Sequence, residues 1–509
     1  MLGVFFTLLY ILVAYITPAA IFGPEAGSYH VEEILAVPTI LCSIFALGGS
    51  GISRMNQTYA ALGLTASIVI SVALTGWLSG AEAALLGFLP FLLTFFFVAI
   101  NFKTKRQLQV LVALLFFVAV FAIVQSQLDE KSGLLQGNYF MSMKGKTGEI
   151  FYRIRGLGEI NDPNDFGQFL LCVIPAMFLF WVKGKAFLNI VRVYIPVAIL
   201  LCGLFLTHSR GAMLALALTL VAAFRRKIGI VRSLITGGVL IVGLQAAGFT
   251  GGRDVSAADG ADRMGAWGAG LDMIKAHPIF GVGSGQFRDH YYMTAHNTIV
   301  ILAAELGVVG LFFWLGIVVP SLRDAWVVSE YGRETTKDKK VDNPAEFNRL
   351  PSSAASSPGL ADFGFPARNL ALEGPNHALQ RQTMVASSST MPLAIPGTPA
   401  PSTIKNDYSR FDRPQPGTLE MEEIRRIATL IILSYVGMLA AGWFLSRAHA
   451  FSIFIFAGMA EVIFRMARQN GMDVSYLPPS RAFKITAICT VAMVTAVWVI
   501  LRLTHLLGG

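Results

Sequence analysis

Charge is confined to a few short stretches of this chain, and between them run thirteen apolar segments. They lie near 4–22, 34–49, 58–78, 81–101, 107–126, 166–183, 188–206, 211–224, 230–248, 297–322, 427–445, 449–466 and 484–505. A helix that crosses a bilayer needs about 20 apolar residues. Most of these runs are long enough, and 211–224 is short enough to need cover from its neighbours. Composition agrees: 14% of the 509 residues are charged and 54% are hydrophobic, against about 25% charged in a soluble domain. A soluble enzyme, a nucleic-acid binder and a secreted disulfide scaffold are excluded. The expected fold class is all-α, a polytopic transmembrane bundle of about 12–13 spans. The first run has no basic stretch before it and no clear cleavage site after it, so it reads as a span rather than a removed leader. Cys42, Cys172, Cys202 and Cys489 sit inside apolar runs without paired spacing. They read as small buried hydrophobes, not as a disulfide or zinc framework.

Lysine and arginine in short loops set orientation. One alternate set of loops carries Arg54; Lys103, Lys105 and Arg106; Lys183 and Lys185; Arg225, Arg226 and Lys227; and Arg465, Arg468 and Arg481, with Asp473 as its acid. The opposite set begins with Glu25, Glu32, Glu33 and Glu82, and those first two loops carry no Lys or Arg. The basic set is read as cytoplasmic, so the loops 127–165, 206–210 and 249–296 face outward. Thirteen spans put the C-terminus outside, and a miscount of one at either end would reverse that.

The stretch 326–425 differs in kind. It holds 11 of the 22 prolines, and its 11 Lys+Arg nearly cancel 12 Asp+Glu. Such a segment cannot bury enough apolar surface to offset its ordering entropy. It is expected to be a disordered cytoplasmic insertion between a transmembrane core, 1–325, and C-terminal helices, 426–509. A docking or phosphorylation role for it is the other reading. The net charge of +9 therefore reports topology and not affinity for nucleic acid.

Four outward features carry polar chemistry. Thr207-His208-Ser209-Arg210-Gly211-Ala212 spans the end of one run and the start of the next. A helix N-terminus has free N–H groups and partial positive charge. With Arg210 it makes either a phosphate site or the seat of a snorkelling arginine. Next, Met264, Trp267, Leu271 and Ile274 recur at helical spacing after Arg263. They predict an amphipathic helix on the membrane interface, followed by the glycine-rich Gly281-Val282-Gly283-Ser284-Gly285. That glycine pattern is weak evidence for phosphate binding and is equally an ordinary surface loop. Third, Ala295-His296-Asn297 stands just before a span. A histidine there is a base near pH 7 or a capping residue. Glu305, inside that span, is expected to face the bundle interior and have a partner. Last, Arg153, Arg155 and Asp162-Pro163-Asn164-Asp165 precede a run. An acid or amide at 162–165 would cap the helix, and Arg155 could add charge to an anion site.

In order, DPNDFGQFL (162–170), THSRGA (207–212), the Arg263-x-x-x-Trp267 helix leading to HPIFGVGSGQF (277–287), and AHNTIVILAAELGVVG (295–310) resemble the O-antigen ligase and O-antigen polymerase-like superfamily. The resemblance covers roughly residues 150–325 and the many-span layout around them. It implies a GT-C-type membrane glycosyltransferase of the bacterial inner membrane with a large periplasmic loop. Such a protein moves a glycan from a polyprenyl (undecaprenyl) diphosphate carrier to an acceptor hydroxyl on the periplasmic face, with no metal ion and no cofactor. Carried over by motif, His296 would be the base, and Arg210 and Arg263 would bind the diphosphate, with Asn297 and Glu305 in support. The acceptor could be lipid A core, a growing polysaccharide or a protein hydroxyl. The chain departs from the superfamily in its 326–425 insertion and in one more span than a typical ligase. From another class, a glycan flippase or other transporter would place paired charges or broken helices near the bilayer midplane in related halves.

Overall fold

A computed structural model describes residues 1–18, 30–132, 138–144, 150–249, 257–332, 421–445 and 449–507. Glu25 and most of the 326–425 stretch lie outside them. By contacts the chain divides into two units: Met1–Arg333 with Thr418–Gly509, and Glu334–Gly417.

The first unit is a helix bundle. Its helices are α1 (Leu2–Ile16), α2 (Val31–Ala46), α3 (Asn56–Ala73), α4 (Leu78–Asn101), α5 (Lys105–Ser132) and α6 (Pro163–Ala176). Next come α7 (Ala186–Leu206), which contains one π-helical turn, α8 (Arg210–Ile228), α9 (Ile230–Ala246) and α10 (Ala257–Ala276). Then follow α11 (Thr298–Glu330), α12 (Met421–Gly442), α13 (Phe451–Gln469) and α14 (Pro479–Leu507). Each of the thirteen apolar runs contains a helix among the described residues. Among the described residues eight helical segments are long and apolar enough to cross a membrane, and two more apolar helices, α1 and α9, are shorter. The fold is all-α and polytopic, as expected. α11 continues to Glu330 and α12 begins at Met421, so ordered helix reaches into both ends of the 326–425 stretch.

α11 is the hub: it packs on α3, α10, α12, α13 and α14, while α12 also meets α6 and α8. Inside a bilayer no water satisfies a stray polar group, so each needs a partner within the protein. Asn101 at the end of α4 donates to Ser43 Oγ at 2.8 Å and Thr7 Oγ1 at 3.2 Å, tying α1, α2 and α4. Arg465 was counted above among loop cations. It is instead buried on α13 and donates to the carbonyls of Ser50 (2.8 Å), Ala99 and Phe102 (3.1 Å). Ser50 follows α2, Ala99 is in the last turn of α4 and Phe102 is just past its end, where helices leave carbonyls unsatisfied. All four cysteines are free, but only Cys172 is buried, and Cys202 on α7 faces out of the bundle.

Among the described residues the strands form an antiparallel hairpin, β1 (Phe140–Lys144) with β2 (Ile150–Ile154), pairing Met141 with Arg153. Nothing in the sequence pattern predicts these strands.

Candidate active site

Three helices begin at one end of the bundle, each with a local capping signal. α6 starts at Pro163, and the Asp162 carboxylate accepts from Asn164 N at 2.7 Å. Pro suits the first helical position because its missing N–H would be unpaired there anyway. α8 starts at Arg210, capped by Ser209 Oγ from Ala212 N at 3.3 Å. α11 starts at Thr298, and Asn297 Oδ1 accepts from Ile299 N at 2.9 Å and Val300 N at 3.1 Å. These are the cap residues a helix start favours.

Tertiary bonds bring the three starts together. Ser209 Oγ meets Asn164 Oδ1 at 2.8 Å, joining α8 to α6. The last turn of α12 and the residues after it lie between α8 and α11. Asn297 Nδ2 donates to the Trp443 carbonyl (3.1 Å), Thr298 Oγ1 to the Leu445 carbonyl (2.8 Å), and Gly211 lies against the Phe444 side chain. Positive helix ends therefore converge, with Arg210 on the first turn of α8.

Two histidines occupy equivalent backbone positions here. His208 and His296 each stand one residue before an N-cap, at φ 47°. This left-handed conformation is uncommon for non-glycine residues and is enriched in histidine, asparagine and aspartate. Their side chains differ. His208 Nδ1 is 2.8 Å from the Phe249 carbonyl, and its ring packs on Phe151 and Phe205. The His296 ring is half-buried and makes no hydrogen bond to any described residue. Burial pushes its imidazole below the ordinary value, and the Arg263 charge pushes the same way, while Asp162 opposes them. The same interactions put His296, Arg263 and Asp162 in one electrostatic neighbourhood.

Arg263 comes from α10. Trp267, four residues on, is 6% exposed; its Nε1–H donates to the Ala295 carbonyl at 2.8 Å, and its ring sits edge-on to Trp443 at 5.9 Å. Met264, Leu271 and Ile274 pack on the core with it. The apolar face of α10 is thus spent on the protein. The bundle's own end thus covers the apolar stripe predicted from the sequence, and α10 brings Arg263 into the electrostatic neighbourhood of His296.

The hairpin contributes a residue with no assigned role in the sequence reading. Arg153 is 4% exposed; it donates to the Thr207 carbonyl and to Asn164 Oδ1, both at 2.9 Å. It clamps the starts of α6 and α8. Arg155 reaches the carbonyls of Asn138 and Asn161, both at 3.1 Å, next to Asp162.

Glu305 and the glycine-rich loop turn out to be one device. α11 breaks at Gly307, which has φ 65° and ψ −168°. In an unbroken helix Val308 N and Val309 N would bond the carbonyls of Ala304 and Glu305. The loop before α11 takes over all four groups. Val282 N donates to Ala304 O (2.9 Å) and Gly283 N to Glu305 O (3.0 Å), while Val308 N donates to Pro278 O (2.9 Å) and Val309 N to Ile279 O (3.2 Å). The Glu305 carboxylate, 9% exposed, accepts from the backbone N–H of Phe287 at 3.3 Å. Glu305 does have a partner, as expected of a carboxylate in a span, and that partner is backbone. A Cβ on Gly307 would strike the Ile279 carbonyl, and one on Gly281 would strike the Glu305 backbone. Gly307→Ala should therefore cost about 2–4 kcal/mol through left-handed strain and collision. Thermal unfolding in detergent would show a clear loss of stability; an unchanged transition would mean the clasp is loose.

Fold and site define a class: a multi-spanning membrane protein with a half-buried histidine, arginines and helix N-termini at one end. Residues 195–315 match the family model described as O-antigen ligase, which supports the resemblance to the O-antigen ligase-like superfamily. The matched stretch contains Arg210, Arg263, His296, Asn297 and Glu305; Arg155 and Asp162 precede it. No curated protein matches the chain.

Proposed function

We propose that the protein is an O-antigen ligase-like glycosyltransferase of the bacterial inner membrane. It moves a glycan from a polyprenyl (undecaprenyl) diphosphate carrier to an acceptor hydroxyl on the periplasmic face, opposite the basic loops. The observation that carries this reading is the half-buried His296 ring, which has no hydrogen bond to a described residue, in the electrostatic neighbourhood of Arg263 where three helix N-termini converge.

The acceptor oxygen attacks the anomeric carbon and forms the new C–O bond. Its proton passes to a ring nitrogen of His296. The bond from the anomeric carbon to the diphosphate oxygen breaks, and its electron pair leaves with the carrier. A positioned base of this kind is worth about 10²–10⁴ in rate. Arg210 and Arg263 bind the diphosphate and stabilise the charge that grows on it, since arginine stays protonated and grips phosphate through a fork of N–H donors. Arg155 adds charge at the rim. Asn297 and Glu305 are positioning residues: one caps the helix that follows His296, the other holds the clasp on that helix.

A broken helix is also a transporter feature. At Gly307 the four freed backbone groups are consumed by the loop, which favours a structural break over an ion site. A deletion strain tests the reading: one of lipopolysaccharide, secreted polysaccharide or glycoprotein should lose its glycan, and the one affected names the acceptor. Unchanged products in all three would reject it. Removing residues 351–417 should leave transfer intact in inserted protein, measured by the same products. Loss of transfer would give that segment a catalytic role.

A further inference from the structure

At the basic end of the bundle, away from the candidate site, a cleft of 460 Å³ opens between α5 and α7. Arg106 and Arg192 stand on its lining with Val110, Ala113, Phe116 and Pro196. Both arginines are exposed, and among the described residues neither has a hydrogen-bond or ion-pair partner. Three other cations at this end are engaged: Lys105 with Glu423, Arg226 with Glu330, and Arg426 with the Phe178 carbonyl. Arg192 lies in the π-helical turn Ile190–Tyr194, whose Ile190, Val191 and Tyr194 side chains face out of the bundle. A cation on such a lipid-facing turn calls for a counter-charge, and the described protein supplies none.

The depth of the cleft indicates what does. Arg106, Val110, Ala113 and Phe116 follow one another at spacings of four, three and three along one face of α5. That run rises about 15 Å at 1.5 Å per residue, about half of a 30 Å hydrocarbon core. Charge at the rim with an apolar wall one leaflet deep matches the two parts of a phospholipid.

We propose that this cleft binds an anionic glycerophospholipid of the leaflet next to the basic loops. Its phosphate lies between Arg106 and Arg192, and an acyl chain runs along Val110, Ala113 and Phe116. Basic pockets between spans bind anionic headgroups in this way, and arginine matches phosphate through paired N–H donors. The site stands whether or not the glycan-transfer reading does.

Native mass spectrometry of the full chain in detergent tests it, with phosphatidylglycerol, phosphatidylcholine and inorganic phosphate as probes. Phosphatidylglycerol should bind about 30-fold more tightly than phosphatidylcholine, the worth of two arginines at about 1 kcal/mol each. Arg106→Gln with Arg192→Gln should erase most of that preference. Ala113→Trp, which fills the groove, should weaken both lipids, and inorganic phosphate should not displace the lipid. Equal binding of the two lipids by the unaltered protein would overturn the proposal. So would a preference that survives in the double variant, tight binding of both lipids to the groove-filled variant, or full displacement by phosphate, which would indicate a free-anion site.

Discussion

Transfer of glycan falls by at least about 10²-fold when His296 is replaced, while the protein still inserts and still binds the carrier lipid. The variant matters because residue 296 is at φ 47°. Alanine removes the base but also pays for a left-handed backbone, whereas asparagine tolerates that conformation and has no basic nitrogen. Transfer should be lost equally in His296→Ala and His296→Asn, with only the first less stable. Retained activity in His296→Asn would show that the ring is not the base. His208→Asn is the matched control: His208 is bonded to the Phe249 carbonyl, so its loss should affect stability before rate. The pH profile adds a second readout. Burial and Arg263 hold His296 below its ordinary value, so activity should persist as pH falls below about 6.5 and drop only at lower pH. Arg263→Gln removes one of the two lowering influences, so its acid limb should move to higher pH; Asp162→Asn removes the opposing one and should move it lower.

Donor binding is the second large effect. Removing charge at Arg210 or Arg263, by Gln, should weaken binding of the lipid-linked diphosphate and cut transfer by about 10²–10³. Lysine at either position keeps the charge but loses the forked geometry, so rescue should be partial. Binding of radiolabelled donor to protein in nanodiscs measures this directly. Unchanged affinity in both single variants would remove the diphosphate from this site.

What could be read from the sequence is what local physics decides. Every apolar run contains a helix because hydrocarbon leaves the backbone no alternative but internal hydrogen bonds. The starts of α6, α8 and α11 were legible because Asp162, Ser209 and Asn297 cap within three residues of themselves. Two features needed tertiary contacts that leave no local trace. Arg153 sits in a hairpin whose strands show little apolar alternation, and its partners, Thr207 and Asn164, belong to other segments. The glycine pattern at 281–285 leaves a phosphate loop and an ordinary loop both open, because phosphate loops also need left-handed glycines; here the Val282 and Gly283 N–H groups bond into a helix break some twenty residues on. The amphipathic face of α10 was read correctly as a face, but periodicity does not say whether lipid or protein covers it.

The central claim is that the end of the bundle bearing His296, Arg210 and Arg263 transfers glycan from a lipid diphosphate. The most direct measurement is turnover by the purified protein in proteoliposomes, supplied with polyprenyl-diphosphate-linked glycan and the acceptor named by the deletion strain. The account predicts glycan-modified acceptor and free polyprenyl diphosphate in equal amounts, with both lost in His296→Asn. Transport of intact glycan-lipid across the bilayer with no release of polyprenyl diphosphate would contradict it.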